Sequence, residues 1–523
     1  MNKLGNTDSE ILKLHKDDPI DWYPWSKECL DRAKSEDKPI FLVSCALWCQ
    51  ECHEITDEIF LDPQIADLLN KNFVSVLLDR DEHPEVDRRY QESISVIMKD
   101  SGWPLIAFLT PEARAFYGFV YRKTNEEIGF KDILERVLGM FKEARKKIEE
   151  LSKNNEELIQ KHFHTEPMGI DNNIIHFSVM EVLENWDDVS GSLALDQKFY
   201  FPSLFEVMVN QYVNETQTDT KEEIKKAVLL VLRNMAKGKI HDKEEGGFYR
   251  CSADEAWQCV REEKTTADNA ELLRLYSRAF RTFVASDLKD IINQFKKYFS
   301  ANESEEGGFY TSNAKIKGKR FVDKSIYTDV NSLVIEAFCE SYLATSDKYF
   351  LESAVKTANM LLDNRLQNAH LMRSKTKPGI LSDYAYFGYS LLRLFEITKE
   401  EKYLESSKNV IDMALNRFWN RGKGGFFEVE SESGLYDQIE YLLDMPLSAP
   451  GPYIFMSMME LLRNFPQEIK YEYFLEEYAR KLMGSADKNP IHSGSVLRAL
   501  DVLINHPIEK EEVAFDLKNQ TFN

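Results

Sequence analysis

The tetrad Gly246-Gly247-Phe248-Tyr249 returns as Gly307-Gly308-Phe309-Tyr310 and again as Gly424-Gly425-Phe426-Phe427. An aspartate follows each of the first two 22 positions after its first glycine, at Asp268 and Asp329, and Asp383 and Asp444 continue the series. A second phase agrees. Thr345, Leu351-Glu352-Ser353, Met360 and Leu362 reappear 53 positions later as Thr398, Leu404-Glu405-Ser406, Met413 and Leu415. Self-similarity at a period of about 50–60 residues indicates stacked supersecondary units, since one unit cannot bury its own apolar face. Leu272, Leu273, Leu275, Tyr276 and Phe280 after Asp268 have helical spacing, as do Leu333, Val334, Ala337, Phe338 and Tyr342 after Asp329. An aspartate ahead of such a run is expected to be an N-cap, its carboxylate accepting orphan N–H groups. Twelve helical segments are expected, beginning near residues 174, 202, 221, 268, 287, 329, 347, 383, 400, 450, 470 and 491. They make six helical hairpins.

The first third of the chain reads differently. Phe41 to Ser44, Phe73 to Asp79, Leu105 to Thr110 and Ala115 to Tyr121 have strand character, with helical patterns between the first three. Such alternation followed by a hairpin predicts a small α/β sheet. A helix over Phe130 to Leu151 and a polar linker over Glu149 to Gln160 complete it. The expected division is residues 1–155, residues 165–510 and a tail at 511–523.

Trp48-Cys49-Gln50-Glu51-Cys52 lies at the junction between the first strand and its helix. A helix N-terminus offers unpaired N–H groups and a positive dipole end, both favouring a thiolate on Cys49. Cys52, one turn later, can close a disulfide, so Cys49 is the candidate nucleophile and Cys52 the resolving thiol. Cys45, Cys49, Cys52 and His53 also have the donor types of a zinc site. One compact loop rarely supplies all four ligands, so redox chemistry is preferred and no metal or cofactor is expected. Cys45 reads as a small core residue, Trp22 and Trp25 as packing residues, and Asp79-Arg80-Asp81-Glu82 as a solvated or salt-bridged loop.

The net charge of −22 over 523 residues argues against nucleic acid and anionic membranes as partners, since both need a basic surface. No apolar run approaches the ~20 residues of a spanning helix. The N-terminus lacks a signal-peptide core. Seven cysteines, three of them between Cys45 and Cys52, suit a reducing compartment better than a secreted disulfide framework. The expected location is the cytoplasm.

Trp48-Cys49-x-x-Cys52 with Trp103-Pro104 before the third strand resembles a thioredoxin-like fold. The resemblance implies that Pro104 is a cis-proline positioning substrate opposite the thiols, and that Trp48 shields them. Asp21-Trp22-Tyr23-Pro24-Trp25, Lys38-Pro39-Ile40-Phe41-Leu42, Cys49-x-x-Cys52-His53, the Asp79–Asp87 segment and Gly102-Trp103-Pro104-Leu105 stand in the order of the spermatogenesis-associated protein 20 / YyaL-like family. Members of that family join a thioredoxin-like domain to a barrel similar to six-hairpin glycosidases and N-acylglucosamine 2-epimerases. The implied fold is α/β plus all-α: a thioredoxin-like domain followed by an (α/α)6 toroid. Its loops before the inner helices would ring one mouth of a funnel.

Within the barrel, Glu263, Lys264, Asp268 and Asn269 match the family's Glu-Lys-x-x-Tyr-Asp-Asn pattern, Asn331 its Thr-Ser-Trp-Asn, and Asp383 and Tyr384 its Leu-x-Asp-Tyr-Ala. These seven are the candidate substrate-binding residues. Arg261, Glu262 and Ala267 replace the family's His, Phe and Tyr, while Asp329 and Val330 replace its Ser and Trp. Aromatics and carboxylates around a funnel suit sugars. A structural role competes: Gly-Gly allows a tight turn, Phe fills the core and Asp caps a helix. The leading expectation is a thiol–disulfide protein whose barrel binds a protein client or a small carbohydrate. The alternatives are a carbohydrate-active enzyme with a structural or regulatory thioredoxin-like domain, and a non-catalytic scaffold with a zinc-bound cysteine cluster.

Gln50 and Glu51 stand where the family has His and Trp between the cysteines. A carboxylate beside Cys49 opposes thiolate formation, whereas a histidine can support it. Alkylation of Cys49 followed against pH is therefore expected to show a midpoint no lower than that of a free cysteine, about 8.5. A midpoint well below that value overturns the expectation.

Overall fold

The computed structural model describes residues 2–122, 129–195, 197–367, 369–430, 439–445 and 447–508. The expected tail at 511–523 lies outside them. The chain forms two compact units. The first is Met1–His164 together with Ser312–Ser325 and Val429–Ile439, and the second is the remainder from Thr165. Two segments assigned to the barrel by linear division therefore group with the first unit.

The first unit is built on strands β1 (Ile40–Cys45), β2 (Val74–Asp79), β3 (Leu105–Leu109) and β4 (Ala115–Val120). Their order is β2-β1-β3-β4, with β1 and β2 parallel and the other pairs antiparallel. The helices are α1 (Glu10–Leu14), α2 (Lys27–Glu36), α3 (Gln50–Ile55), α4 (Pro63–Asn72), α5 (Pro84–Met98), α6 (Phe130–Glu143) and α7 (Arg145–Phe163). Every residue of β1, β2 and β3 is buried, as expected for a sheet covered on both faces. The period of two divides β1 between two cores. Ile40 and Leu42 face one; Phe41, Val43 and Cys45 face the other. A π-helical turn, Thr56–Phe60, separates α3 from α4, where Asp62 caps and Pro63 occupies the first turn.

Phe130 to Leu151 is not one helix. The chain breaks at Ala144, and α7 runs through the expected polar linker to Phe163. The linker is helical because it is anchored: Glu156 accepts hydrogen bonds from Arg89 at 3.1 Å and Arg114 at 3.0 Å. A hairpin of β5 (Ser312–Ile316) and β6 (Lys319–Asp323) completes this unit, although its sequence neighbours are barrel helices.

The second unit contains twelve helices among the described residues, close to the expected positions. They are α8 (Ile174–Glu184), α9 (Pro202–Asn214), α10 (Thr218–Lys237), α11 (Thr266–Phe283), α12 (Lys289–Asn302), α13 (Thr328–Thr345), α14 (Lys348–Arg365), α15 (Leu381–Thr398), α16 (Glu401–Phe418), α17 (Pro450–Asn464), α18 (Lys470–Lys488) and α19 (Gly494–Asn505). The odd-numbered helices close a ring: α9 packs on α11, and so on through α13, α15 and α17 to α19, which returns to α9. This is an (α/α)6 toroid with the even-numbered helices outside. The burial follows from the position in the ring. Thr328 to Ser341 of α13 are all buried, whereas α14 buries mainly Phe350, Ala354, Ala358, Leu361 and their neighbours on one side. Among the described residues no helix is long and apolar enough to cross a membrane.

Asp268, Asp329 and Asp383 lie inside the first turn of their helices rather than at the N-cap, while Asp444 precedes α17 and accepts the N–H of its N-cap residue Ala449 at 2.9 Å. Thr265 caps α11, and Asp268 sits one turn in. Asp383 reaches back to accept the Ile380 N–H at 2.9 Å. Both the cap and the reach-back satisfy the same orphan donors.

Five inner helices meet in one buried polar cluster. Arg274 of α11 donates to Glu206 of α9 at 2.6 Å and to Glu336 of α13 at 2.6 Å. Arg498 of α19 donates to Glu336 at 2.9 Å and lies 3.2 Å from Glu206. The Tyr453 hydroxyl on α17 accepts from both arginines, at 2.8 and 2.9 Å. Removing one charge leaves two buried guanidiniums short of compensation. Glu336→Gln is expected to lower unfolding stability by about 3–5 kcal/mol, read as a lower urea midpoint. An unchanged midpoint would show that the cluster does not hold the ring.

Candidate functional site

The thiols lie where β1 ends and α3 begins. Cys49 is the N-cap of α3, and its Sγ accepts the Cys52 N–H at 3.3 Å. All seven cysteines are free thiols. Cys49 is 3% exposed, and Cys45 and Cys52 are fully buried. Burial pushes the Cys52 thiol well up, with its hydrogen bond to Cys45 acting in the same direction and that to Cys49 opposing it. Cys45 is also raised by burial. Cys45 is a buried core residue, as expected, on the face of β1 that carries Phe41 and Val43, and it acts on the Cys52 thiol.

Trp48, Trp103 and Pro104 frame the thiols. The Trp103–Pro104 bond is cis. Trp48 and Trp103 meet edge to face at 5.4 Å. The Arg80 guanidinium lies 5.0 Å from the Trp103 ring centre and 5.9 Å from that of Trp48. Trp48 Nε1 donates to Asp81 at 2.9 Å, and Trp103 Nε1 to Asp87 at 3.0 Å. Ser44 donates to the same Asp87 at 2.6 Å. The loop before Trp103 is held by a two-way bond between the Gln91 amide and Gly102. Gly102 has φ +136°, a conformation that favours glycine.

The Asp79–Glu82 run is salt-bridged through Arg80 to Asp81, but it is not solvated: Asp79, Asp81 and Glu82 are buried. Its carboxylates serve as acceptors for Trp48, for Ser9 and for the backbone. Trp22 and Trp25 are core residues, as expected.

The β5–β6 hairpin adds to this side of the sheet. Ala314 and Ile316 belong to the same apolar core as Trp48, Cys49 and Cys52. Phe321 lies 4.4 Å from the His53 ring, centre to centre. His53 donates through Nε2 to the Leu47 carbonyl at 2.7 Å when that nitrogen carries the proton, and burial lowers its pKa. Among the described residues, no group of three or more His, Cys, Asp or Glu side chains is arranged to hold a metal ion. The zinc-scaffold alternative therefore finds no ligand set there. Asp323, at the end of β6, is raised to about 6 by burial and then by the Asp81 charge. Asp79 is raised well above its usual range by burial and by Asp323, Asp81 and Glu82.

The candidate barrel residues separate into three groups. Asn269 and Asn331 are fully buried clamps on the Gly-Gly-Phe turns. Asn269 Oδ1 accepts the Phe248 N–H at 2.7 Å, and its Nδ2 donates to the Phe248 carbonyl at 3.0 Å. Asn331 repeats both bonds with Phe309, at 2.7 and 3.2 Å. At the third turn Glu440 accepts the Phe426 N–H at 2.9 Å instead. Lys264 belongs with the clamps, donating to Asp242 at 2.5 Å and to the Gly246 carbonyl at 2.9 Å. The hydrogen bonds of these three hold the Gly-Gly-Phe turns and the loop before them.

Asp383 and Tyr384 form the second group. Asp383 accepts the Asp329 N–H at 2.9 Å and lies 3.3 Å from Arg373, which also donates to Asp329 at 2.7 Å. Burial raises Asp383 to about 7, against the pull of Arg373. The Tyr384 hydroxyl accepts the Leu371 N–H at 2.9 Å. Glu263 and Asp268 form the third, 3.8 and 3.9 Å from Arg250.

Residues 1–160 match the Thioredox_DsbH family model, described as a protein of unknown function, DUF255. Spermatogenesis-associated protein 20 of Rattus norvegicus is 31% identical over 322 residues, which is 60% of this chain and 41% of the rat protein. The chain thus spans less than half the length of that relative. A D-mannose isomerase crystal structure aligns with TM-score 0.52 and 15% identity, covering 63% of this chain and 96% of that one. A sugar epimerase from a ruminal bacterium aligns with TM-score 0.50 and 12% identity, covering 65% of this chain and 100% of that one. At such identities the likeness is one of fold.

Because Asp323 is raised in the folded state, it holds a proton there that the unfolded chain has released. Its contribution to stability is complete below about pH 4 and is lost as pH rises through about 6. Asp323→Asn removes that loss. The variant's Tm relative to wild type is expected to climb from pH 4 to pH 7. A difference that stays flat with pH would show that Asp323 ionises normally in the fold.

Proposed function

We propose that this chain, whose residues 1–160 match the Thioredox_DsbH family model, is a thiol–disulfide protein of the cytoplasm. The observation that carries the reading is Cys49 at the N-cap of α3, with its sulfur accepting the Cys52 N–H. The helix end favours a thiolate on that sulfur while the Glu51 carboxylate in the first turn opposes it, and Cys49 is the more exposed of the pair. Cys49 attacks a disulfide of the client, forming a mixed disulfide and releasing the client's other sulfur as a thiol. Cys52 then attacks Cys49, which frees the client reduced and leaves Cys49–Cys52 oxidised. Its raised pKa keeps Cys52 protonated until that second step. Trp48 shields the pair, and Pro104 positions the incoming chain.

The barrel is assigned to binding, of the protein client or of a small carbohydrate. A carbohydrate-active enzyme is the second reading, favoured by Glu263 and Asp268 on either side of Arg250. Sugar turnover by the full chain that is lost in Glu263→Gln or Asp268→Asn would support that reading.

The test of the first reading is equilibration of the full chain in dithiol–disulfide buffers, with the reduced fraction trapped and counted. A two-electron couple is expected between about −270 and −120 mV, the span of known dithiol proteins. It is expected to vanish in Cys49→Ser and in Cys52→Ser. Thiols that stay reduced across the whole range overturn the reading.

A further inference from the structure

We propose that Cys45 is a third redox thiol, which takes over Cys52 from Cys49 and stores the disulfide as Cys45–Cys52. This rests on the thiol–disulfide reading above and deepens it.

The geometry puts Cys52 between two possible partners. Cys45 and Cys49 are the two side chains that act on the protonation of its thiol, Cys52 acts in turn on Cys45, and the Cys52 N–H donates to Cys49 Sγ at 3.3 Å. Cys45 is the last residue of β1, and its parity directs it into the core that contains Cys49 and Cys52. The end of β1 is pinned: the Arg80 N–H donates to the Cys45 carbonyl at 2.9 Å, and the Cys49 N–H to the Ala46 carbonyl at 3.2 Å. The sulfur of Cys45 is therefore held beside Cys52 from the strand, and that of Cys49 from the helix cap.

Exposure separates the roles. Cys49 retains 3% of its surface, while Cys45 and Cys52 retain none. An external disulfide can meet only Cys49. Cys45 can be oxidised only from within, by exchange.

The step balances without a further oxidant. A client disulfide first oxidises the Cys49 and Cys52 thiols to a disulfide and leaves as two thiols. The Cys45 sulfur then attacks the Cys52 sulfur. The Cys45–Cys52 bond forms as the Cys52–Cys49 bond breaks, and the electron pair leaves on Cys49. The proton lost by Cys45 ends on the Cys49 sulfur or is exchanged with water there. The net result is an isomerised disulfide: the oxidised pair is buried and Cys49 is again a thiol. Attack by Cys49 on Cys52 reverses it. A purely packing role for Cys45 makes no such prediction.

Full-length protein oxidised with glutathione disulfide can be quenched in acid, denatured and alkylated with a first label. Reduction and a second label follow, and fragment mass spectra read which cysteine carries which label. The expected result is a first label on Cys49 in oxidised wild type, with the second on Cys45 and Cys52. That first label should be lost from Cys49 in Cys45→Ala, where only Cys49–Cys52 can form. A first label on Cys45 alone, with Cys49 and Cys52 paired, overturns this inference and leaves the thiol–disulfide reading standing. First label on all three overturns both. The wild-type result decides the matter if the alanine variant does not fold.

Discussion

Two arginines and two glutamates buried between the inner helices of the barrel carry a constraint on which the rest of that unit depends. Arg274, Glu206, Arg498 and Glu336 come from four different helices, and Tyr453 adds a fifth. Buried charges are tolerated only when they are compensated and hydrogen-bonded. Each helix must therefore keep its rotation and height for the others' charges to stay paired. Apolar contacts alone permit repacking at modest cost; this cluster does not. Glu271, one turn before Arg274, is pushed up to about 7 by burial despite that arginine, so the centre gains little further negative charge.

At the helix starts, the barrel meets a second demand with repeated parts. Asn269 and Asn331 both use one amide to satisfy the N–H and C=O of a buried phenylalanine in the preceding turn. A buried backbone group without a partner costs about 1–3 kcal/mol, so the pairing of Gly-Gly-Phe with Asn is an architectural device. Separations of 21 residues from Phe248 to Asn269 and 22 from Phe309 to Asn331 let each inner helix grip its own preceding loop. Glu440 at the third turn shows that an acceptor is required there, not an asparagine.

The thiol site is framed by acids. Asp81 and Asp87 hold Trp48 and Trp103, and Arg80 lies over both rings. Asp79 and Asp323 are buried close to the same group and resist ionisation. The hairpin from Ser312 to Asp323 brings Ala314, Ile316 and Phe321 to the core of Cys49 and Cys52.

Local physics made much of this legible from the residues. Helical periodicity located all twelve barrel helices, because an amphipathic pattern records which face each helix buries. The C-x-x-C pair was placed at a strand–helix junction by the apolar run before it. Other features join residues far apart and leave no periodic trace. Closure of α19 on α9, the pairing of Arg274 with Glu206, and the grouping of Ser312–Ser325 with the first unit are of this kind. The same is true of the linker that became α7, whose polar surface is explained only by Arg89 and Arg114 reaching Glu156. The sequence by itself determined which segments are helix or strand and where the paired thiols stand, since those follow from neighbours within a turn or two. Tertiary structure alone decided which polar residues bind inward, because a carboxylate or amide reads the same in sequence whether it faces a ligand or a buried backbone group.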